Sequence, residues 1–158
     1  MRMAAVEEAL ASNDTQLRSM ALETALASDD QRLQTEALRW YVDNRSQILV
    51  TFVMPERPSK AQQHIFSKWD GLILKDPEVA PNGSEIKFTQ YYSAGGQLIR
   101  GGLEFRFLGT HHQMGICAMT VRPTGGTLLT GQFYCTFSGY EELAGGADAA
   151  LPVRIDLS

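Results

Sequence analysis

The residues in this sequence with the most reactive side chains are two adjacent histidines and two cysteines. His111 and His112 lie in the segment LGTHHQMG, and Cys117 follows shortly after them. An imidazole can activate a thiol for acyl transfer, so these residues permit a cysteine- and histidine-dependent enzyme. Both Cys117 and Cys135, however, lie in apolar, alternating runs, where cysteine usually behaves as a small hydrophobic residue. We therefore expect buried structural thiols, with a disulfide as the remaining option, and we assign no catalytic residue.

The same histidines are poorly arranged for a metal ion. Adjacent side chains on a strand point to opposite faces, and the third histidine, His64, lies in a distant polar connector. The two cysteines lack the CxxC spacing of zinc sites. The sequence also lacks the phosphate-binding GxxxxGKS/T loop and the GxGxxG, GxSxG and HExxH motifs. We predict neither a metal site nor a cofactor.

Aromatic residues form a third group with a candidate role in binding. If the strands close into a small barrel, its interior can enclose an apolar ligand. The aromatic candidates for that lining are Trp69, Tyr91, Tyr92, Phe105, Phe107, Phe133, Tyr134, Phe137 and Tyr140. The alternative role for the same side chains is to fill an ordinary hydrophobic core, and this is the role we favour.

The overall charge narrows the class of partner. The chain carries 14 Lys and Arg against 18 Asp and Glu, a net charge of −4, without a run of like charges. Nucleic-acid binding requires clustered Lys and Arg, so we expect no nucleic-acid partner. No apolar stretch approaches the roughly 20 residues of a membrane span. We expect a soluble protein, with a cytoplasmic location favoured and an extracytoplasmic one open if the chain is a processed form.

The elements that position these residues begin with a helical segment over residues 1–45. This segment is rich in Ala, Leu, Glu, Gln and Arg and contains neither Pro nor Gly. Within it, ALASNDTQLRSMALET (9–24) is followed by ALASDDQRLQTEALRW (25–40), and eight of the sixteen positions are identical. We call this internal repeat the echo. It predicts a pair of antiparallel helices.

Short polar residues occur at equivalent points of the two copies of the echo. The segments SND (12–14) and SDD (28–30) carry side chains that accept hydrogen bonds from free helix N–H groups, so they predict N-caps. Ser28 followed by Gln31 fits a capping box, and Asn13 followed by Gln16 fits a looser version.

The spacing within each copy places apolar residues on one helical face. Leu17 and Met20 lie on this face in the first copy, and Leu33 and Trp40 lie on the corresponding face in the second. The repeated pattern over residues 9–40 resembles the short helical repeats of the HEAT and armadillo class, which implies a role in protein contact. The chain departs from that class because a solenoid needs three or more stacked units.

From residue 46 onward the chain changes to β-branched and aromatic runs. Leu103, Phe105 and Phe107 alternate with Glu104 and Arg106, as expected of a half-buried strand. The candidate strands are SQILVTFVMP, IFSKWDGLILKD, SEIKFTQYY, QLIRGGLEFRFLG, QMGICAMTVRP, TLLTGQFYCTF and PVRIDLS. We predict an α+β fold in which a helical segment (1–45) precedes an antiparallel β-sandwich or small barrel of about six or seven strands (46–158).

Together these features predict a non-catalytic binding or protein-interaction module that presents an apolar contact surface. The expected partner is another protein or a second copy of the chain. The candidate binding residues are Leu17, Met20, Leu33, Trp40, Trp69, Tyr91 and Tyr92. The first alternative is a carrier of a small apolar ligand with a cavity inside the β-domain, and the second is the cysteine- and histidine-dependent enzyme.

Overall fold

The computed structural model describes residues 3–89, 94–108, 115–137 and 150–158. In these ranges the chain forms four α-helices and nine β-strands. The helices are α1 (Met3–Leu10), α2 (Thr15–Leu26), α3 (Gln31–Asp43) and α4 (Lys60–Trp69). The strands are β1 (Gln47–Leu49), β2 (Thr51–Phe52), β3 (Ile73–Val79), β4 (Glu85–Thr89), β5 (Ala94–Ile99), β6 (Gly102–Leu108), β7 (Ile116–Gly125), β8 (Leu128–Cys135) and β9 (Leu151–Asp156). The α+β fold class is confirmed.

The N-terminal segment forms three helices rather than the predicted pair. The first ALAS of the echo contains the end of α1, and the second contains the end of α2. Each copy of the echo therefore comprises the end of one helix, a polar corner and most of the next helix. The sequence pattern identified the corners but not the helix that precedes the first one.

The polar corners cap α2 and α3 through aspartates. Asp14 and Asp30 accept hydrogen bonds from backbone N–H groups in the first turn of their helices, at 2.8 to 3.2 Å. The hydroxyl groups of Ser12 and Ser28 accept the N–H groups of those same aspartates at 3.1 and 3.0 Å. The prediction of capping boxes starting at Ser28 and Asn13 is wrong, because Asp30 and Asp14 occupy the N-cap positions.

The nine strands form one antiparallel sheet in the order β1-β3-β4-β5-β6-β7-β8-β9-β2. β1 and β2 are two halves of one extended segment separated by Val50. Ile48 pairs with Leu74 in β3, whereas Phe52 pairs with Val153 in β9. This segment joins the two sides of the sheet and bends it into a nearly closed barrel. Of the two predicted architectures, the barrel therefore describes the fold.

The strand count is higher than the predicted six or seven because two apolar runs each supply two strands. SQILVTFVMP divides into β1 and β2, which pair with different neighbours. QLIRGGLEFRFLG folds back on itself as the β5–β6 hairpin, in which Ile99 pairs with Gly102. A third run, IFSKWDGLILKD, begins in α4 and only its second half is a strand.

Helix α4 includes the part of the polar connector that contains His64. The Ser59 hydroxyl accepts the N–H of Gln62 at 3.1 Å, and the Gln62 side chain accepts the N–H of Ser59 at 2.9 Å. This reciprocal pair is a capping box, which satisfies free N–H groups at the start of the helix. The side chain of Gln62 also donates to the carbonyl of Ala150 at 2.8 Å, so α4 is attached to the residue preceding β9.

The N-terminal helices share one hydrophobic core with the sheet, and α3 lies across one end of the barrel. The Thr35 hydroxyl accepts the N–H of Gly101, in the β5–β6 turn, at 2.9 Å. Gly101 has a φ of +67°, and a Cβ atom there would lie 2.7 Å from the side-chain oxygen of Gln34. The positive φ is the reason that glycine is favoured at this contact. In an antiparallel sheet of consecutive strands, successive connections alternate between the two ends. The β5–β6 turn and the start of β9 therefore lie at opposite ends of the barrel, so Ala150 and the start of α4 lie away from α3.

None of the helices in the described ranges combines the length and the hydropathy that crossing a membrane would require.

Candidate binding sites

The interior of the barrel is filled by aromatic side chains. Trp69, at the end of α4, lies with its ring centroid 5.4 Å from those of Phe107 and Phe133. Phe52 packs edge-on against Phe133 at 5.1 Å. These four side chains are buried, together with Phe105. They contact one another at the place where an enclosed apolar ligand would lie, so they perform the core-filling role that we favoured for them.

The two cysteines form a disulfide. Cys117 in β7 and Cys135 in β8 face each other directly, with a Cα–Cα distance of 4.0 Å. The neighbouring residues Ile116 and Thr136 carry the backbone hydrogen bond, at 2.9 Å, so the cysteines occupy the closely spaced, non-hydrogen-bonded position of the ladder. The prediction of free thiols is therefore wrong, and the disulfide that we left as the remaining option is present. Both residues are buried, as expected. A bonded sulfur cannot act as the thiolate nucleophile of the enzyme hypothesis.

Of the three histidines, the structure describes only His64. His111 and His112 lie outside the described residues. His64 lies in α4, with its ring centroid 6.2 Å from that of Phe137. Within the part of the chain that the structure describes, no group of three or more His, Cys, Asp or Glu residues could hold a metal ion.

The helical binding candidates do not share one surface. Leu17 is 44% exposed and Met20 is 65% exposed on α2, whereas Leu33 on α3 is only 3% exposed and belongs to the core. Trp40 is half-buried near the end of α3. Trp69 is buried inside the barrel. The remaining candidates, Tyr91 and Tyr92, lie outside the described residues.

A second exposed apolar surface lies on the outside of the sheet, and we call it the outer patch. It consists of Leu108 in β6, Ile116 in β7 and Tyr134 in β8, the last two being 51% exposed. Leu108 pairs directly with Ile116, and Tyr134 pairs with Ala118, two residues along β7 from Ile116. Tyr134 therefore points away from the barrel interior that we considered for it.

A cleft of about 380 Å³ lies between α2, the end of α3 and the residues after β9. We call it the Arg18–Arg45 cleft. Its walls carry two guanidinium groups and the half-buried side chain of Trp40, with Ser19 and Asn44 among the polar lining residues. No aspartate or glutamate lines it among the described residues.

Both arginines of this cleft are held by neutral oxygen atoms. Arg18 donates to the carbonyl of Ser12 at 2.9 Å and to the hydroxyl of Thr15 at 3.3 Å. Arg45 donates to the carbonyl of Leu157 at 3.2 Å, and its guanidinium carbon lies 4.9 Å from the ring centroid of Tyr41. The two ion pairs found among the described residues involve neither arginine.

Two groups near the cleft have shifted pKa values. Burial raises the pKa of Tyr41, an effect that Arg45 opposes and Asp156 reinforces. The pKa of Asp156 is lowered, first by the N–H and hydroxyl groups of Ser158 and then by the hydroxyl of Thr127. The N–H of Ser158 and the Thr127 hydroxyl each lie 3.0 Å from the carboxylate. The Asp156 carboxylate is therefore held as an anion by hydrogen bonds from Ser158 and Thr127, and it does not line the cleft.

Reasoning from the sequence missed the outer patch and the Arg18–Arg45 cleft. The sequence does contain a signal for the patch. Leu108 follows the inward-facing Phe107 and so occupies an outward-facing position of β6, where polar residues are expected. Ile116 is related in the same way to the buried Cys117. The cleft has no such local signal, since Arg45 and Leu157 are 112 residues apart.

Comparison with known protein families, with characterised proteins and with solved structures finds no match for this chain.

Proposed function

We propose that this protein is a non-catalytic interaction module that associates with a second copy of itself through the outer patch. The observation that supports the proposal is the exposure of three large apolar side chains on three adjacent strands. Single exposed apolar residues are ordinary on protein surfaces, but contiguous ones indicate contact surfaces.

The register of the sheet makes the outer patch continuous. Directly opposed side chains on antiparallel strands lie about 4.5–5.5 Å apart at Cβ, and diagonal neighbours remain within reach of an aromatic ring. Leu108 and Ile116 form a directly opposed pair, and Tyr134 is diagonal to Ile116. Covering these side chains removes apolar area from water, which favours association by about 25 cal/mol for each Å².

The composition of the surrounding face favours a second copy as the occupant. Glu104 and Arg106 lie on the outer face of β6, and their side chains form an ion pair at 3.2 Å. These two charges cancel, so two copies of the same face can meet there without repulsion between like charges, as a two-fold contact between identical surfaces requires. β6, β7 and β8 are each paired on both sides, so association must occur through their faces rather than by adding a strand at an edge.

The size of the patch predicts a weak dimer. Three strands about 4.8 Å apart present a narrow face, which is smaller than the roughly 800 Å² per partner of standard interfaces. Because interfaces of standard size bind at about 10⁻⁶ M or tighter, we expect a dissociation constant above about 10⁻⁶ M.

Sedimentation velocity of the full chain from about 10 µM to about 1 mM tests the proposal. The variant Ile116→Glu places a carboxylate in the apolar centre and should weaken association at least about tenfold, since an unpaired charge in an interface is costly. The matched control is Met20→Glu, which introduces the same charge at an exposed apolar position on α2. It should leave association unchanged.

Two results would overturn this assignment. A monomer at all concentrations means that the patch does not bind a second copy, and loss of association in Met20→Glu alone assigns the contact to α2. A further variant pair tests whether the balance of charge beside the patch permits the contact, because Arg106→Glu gives both copies an excess of negative charge there. Arg106→Glu should weaken association, and the double variant Glu104→Arg with Arg106→Glu should restore it.

The disulfide supports an extracytoplasmic location for the chain. From the sequence alone we favoured a cytoplasmic location and left the extracytoplasmic one open. Disulfides persist in oxidising compartments and are rare in the cytosol. Acid trapping and alkylation of free thiols in intact cells should leave Cys117 and Cys135 unmodified until a reductant is added. Immediate alkylation of both would favour a cytosolic location instead.

The resemblance of the helical echo to HEAT and armadillo repeats stays a prediction.

A further inference from the structure

We propose that the Arg18–Arg45 cleft binds a small organic anion, with a carboxylate or phosphate attached to a flat apolar group. The cleft lies between α2, α3 and the residues after β9, on elements other than the three strands of the outer patch. The proposal is therefore independent of self-association, and either one can fail without the other.

The size of the cleft fits a small molecule. Its volume of about 380 Å³ falls within the range of about 300–1,000 Å³ that is usual for ligand sites. A macromolecular partner would need a wider surface, so a small molecule is the occupant that the geometry favours.

The charge of the cleft selects an anion. A guanidinium group offers five N–H donors, of which the described residues engage two in Arg18 and one in Arg45. The engaged acceptors are carbonyl and hydroxyl oxygens, so neither positive charge is neutralised by an ion pair within the described ranges. Guanidinium groups bind carboxylate and phosphate in a bidentate manner, which makes these anions the matching ligands.

The rest of the lining selects a flat apolar group on that anion. Trp40 is half-buried and lines the same cleft, so part of its indole ring is available to a ligand. Aromatic side chains stack on flat groups, and Leu22 and Leu157 add apolar lining. The Asn44 side chain donates to the Trp40 carbonyl at 2.8 Å, which ties the end of α3 together beside the indole.

The position of Arg45 is fixed before a ligand arrives. Its guanidinium group lies over the Tyr41 ring and donates to the Leu157 carbonyl, so it is held between α3 and the residues after β9. Binding therefore needs little ordering of this side chain, and a site that is arranged in advance loses less entropy on binding.

Titration of the full chain with 2-naphthoate, observed at the indole N–H resonance of Trp40, tests the inference. The resonance is assigned with Trp40→Phe. We expect a saturable shift with 2-naphthoate and at least about tenfold weaker binding of the neutral analogue 2-naphthylmethanol. Inorganic phosphate should bind more weakly than 2-naphthoate, because it lacks the flat group.

The arginine variants give the second readout. Arg18→Gln and Arg45→Gln should each weaken 2-naphthoate binding at least about tenfold, since each removes charge-assisted hydrogen bonds. The matched control is Arg122→Gln, because Arg122 also donates to backbone carbonyls, at 2.7 and 3.3 Å, but lies outside the cleft. The affinity of the Arg122→Gln variant for 2-naphthoate should stay within about twofold of that of the unmodified protein.

Three outcomes would overturn the inference. Equal binding of 2-naphthylmethanol would mean that the cleft is an apolar gap without anion selectivity. No saturable shift with any probe would mean that it binds no small anion. Unchanged affinity in Arg18→Gln would remove the role of the guanidinium groups, even if Arg45→Gln disturbs the fold. The Arg18 variant should retain the fold, because the partners of Arg18 lie in the Ser12–Thr15 corner, outside the hydrophobic core.

Discussion

Helices α2 and α3 follow the polar corners of the two copies of the echo, and they begin in the same way but have different surroundings. Both begin at an aspartate N-cap whose own N–H is accepted by a serine two residues earlier. Leu17 in α2 is nevertheless 44% exposed, and its counterpart Leu33 in α3 is in the core. Only α3 lies directly on the sheet, where Thr35 contacts Gly101. The repeated sequence determines how each helix starts but not what it packs against.

The largest difference between the copies should appear on truncating the equivalent leucines. Leu33→Ala should lower the free energy of unfolding by about 2–5 kcal/mol because it opens a cavity in the core. Leu17→Ala should change it by less than about 0.5 kcal/mol. Urea denaturation with the disulfide intact measures both values. Equal losses would mean that α2 and α3 are packed alike.

A second difference concerns the equivalent hydroxyl residues Thr35 and Ser19. Thr35→Val removes the acceptor of the Gly101 N–H at the end of the barrel and should cost about 1–3 kcal/mol. Ser19→Ala removes an exposed hydroxyl and should be nearly neutral. Thr35→Ser keeps the acceptor and serves as the control in the same denaturation experiment. Full loss of stability in Thr35→Ser would mean that the methyl group, not the hydrogen bond, is responsible.

The N-caps should show the similarity of the copies rather than their difference. Asp14→Ala and Asp30→Ala each remove a side chain that accepts N–H groups of the first helical turn, so each should cost about 1 kcal/mol. Asp14→Asn and Asp30→Asn retain an acceptor and should recover most of that loss. A cost confined to Asp30→Ala would show that capping matters only in the helix that lies on the sheet.

The smallest effect should be a pH dependence that is present in α3 and has no counterpart in α2. Tyr41 is buried, whereas the equivalent residue of α2 is Ala25. Because burial raises the Tyr41 pKa in the folded state, its neutral form is favoured by folding. Its contribution is complete below the unfolded-state pKa of about 10 and is lost as the pH rises through the folded-state pKa.

The measurement is the free energy of unfolding between about pH 9 and pH 11. The unmodified protein should lose stability over this range more steeply than Tyr41→Phe does. The opposing charge of Arg45 keeps the difference small. Parallel curves would contradict a raised pKa for Tyr41.

The sequence was sufficient for those features of the fold that depend on nearby residues. The alternation of Leu103, Phe105 and Phe107 with Glu104 and Arg106 correctly assigned the inner and outer faces of β6. The helical composition of residues 1–45 correctly placed the helices first. In both cases the periodicity of apolar residues reflects a single buried face, which is a local property.

Other features depend on residues that are distant in the sequence, so no local pattern encodes them. Whether Leu17 or Leu33 is buried depends on which helix lies against the sheet, and both leucines occupy the same position of the echo, three residues after a capping aspartate. The division of SQILVTFVMP into β1 and β2 depends on β3 and β9, which pair with it from opposite sides. The Arg18–Arg45 cleft likewise requires residues from both ends of the chain.

The segment that contains β1 and β2 also constrains the order in which the molecule folds. Phe52 pairs with Val153 about a hundred residues away, whereas most other ladders join neighbouring strands through short connections. Bringing distant residues together has a high entropic cost before any contact compensates for it. The β3-to-β9 meander should therefore form as an open, curved sheet, and docking of β2 along β9 should be the late, slow step that brings its two edges together.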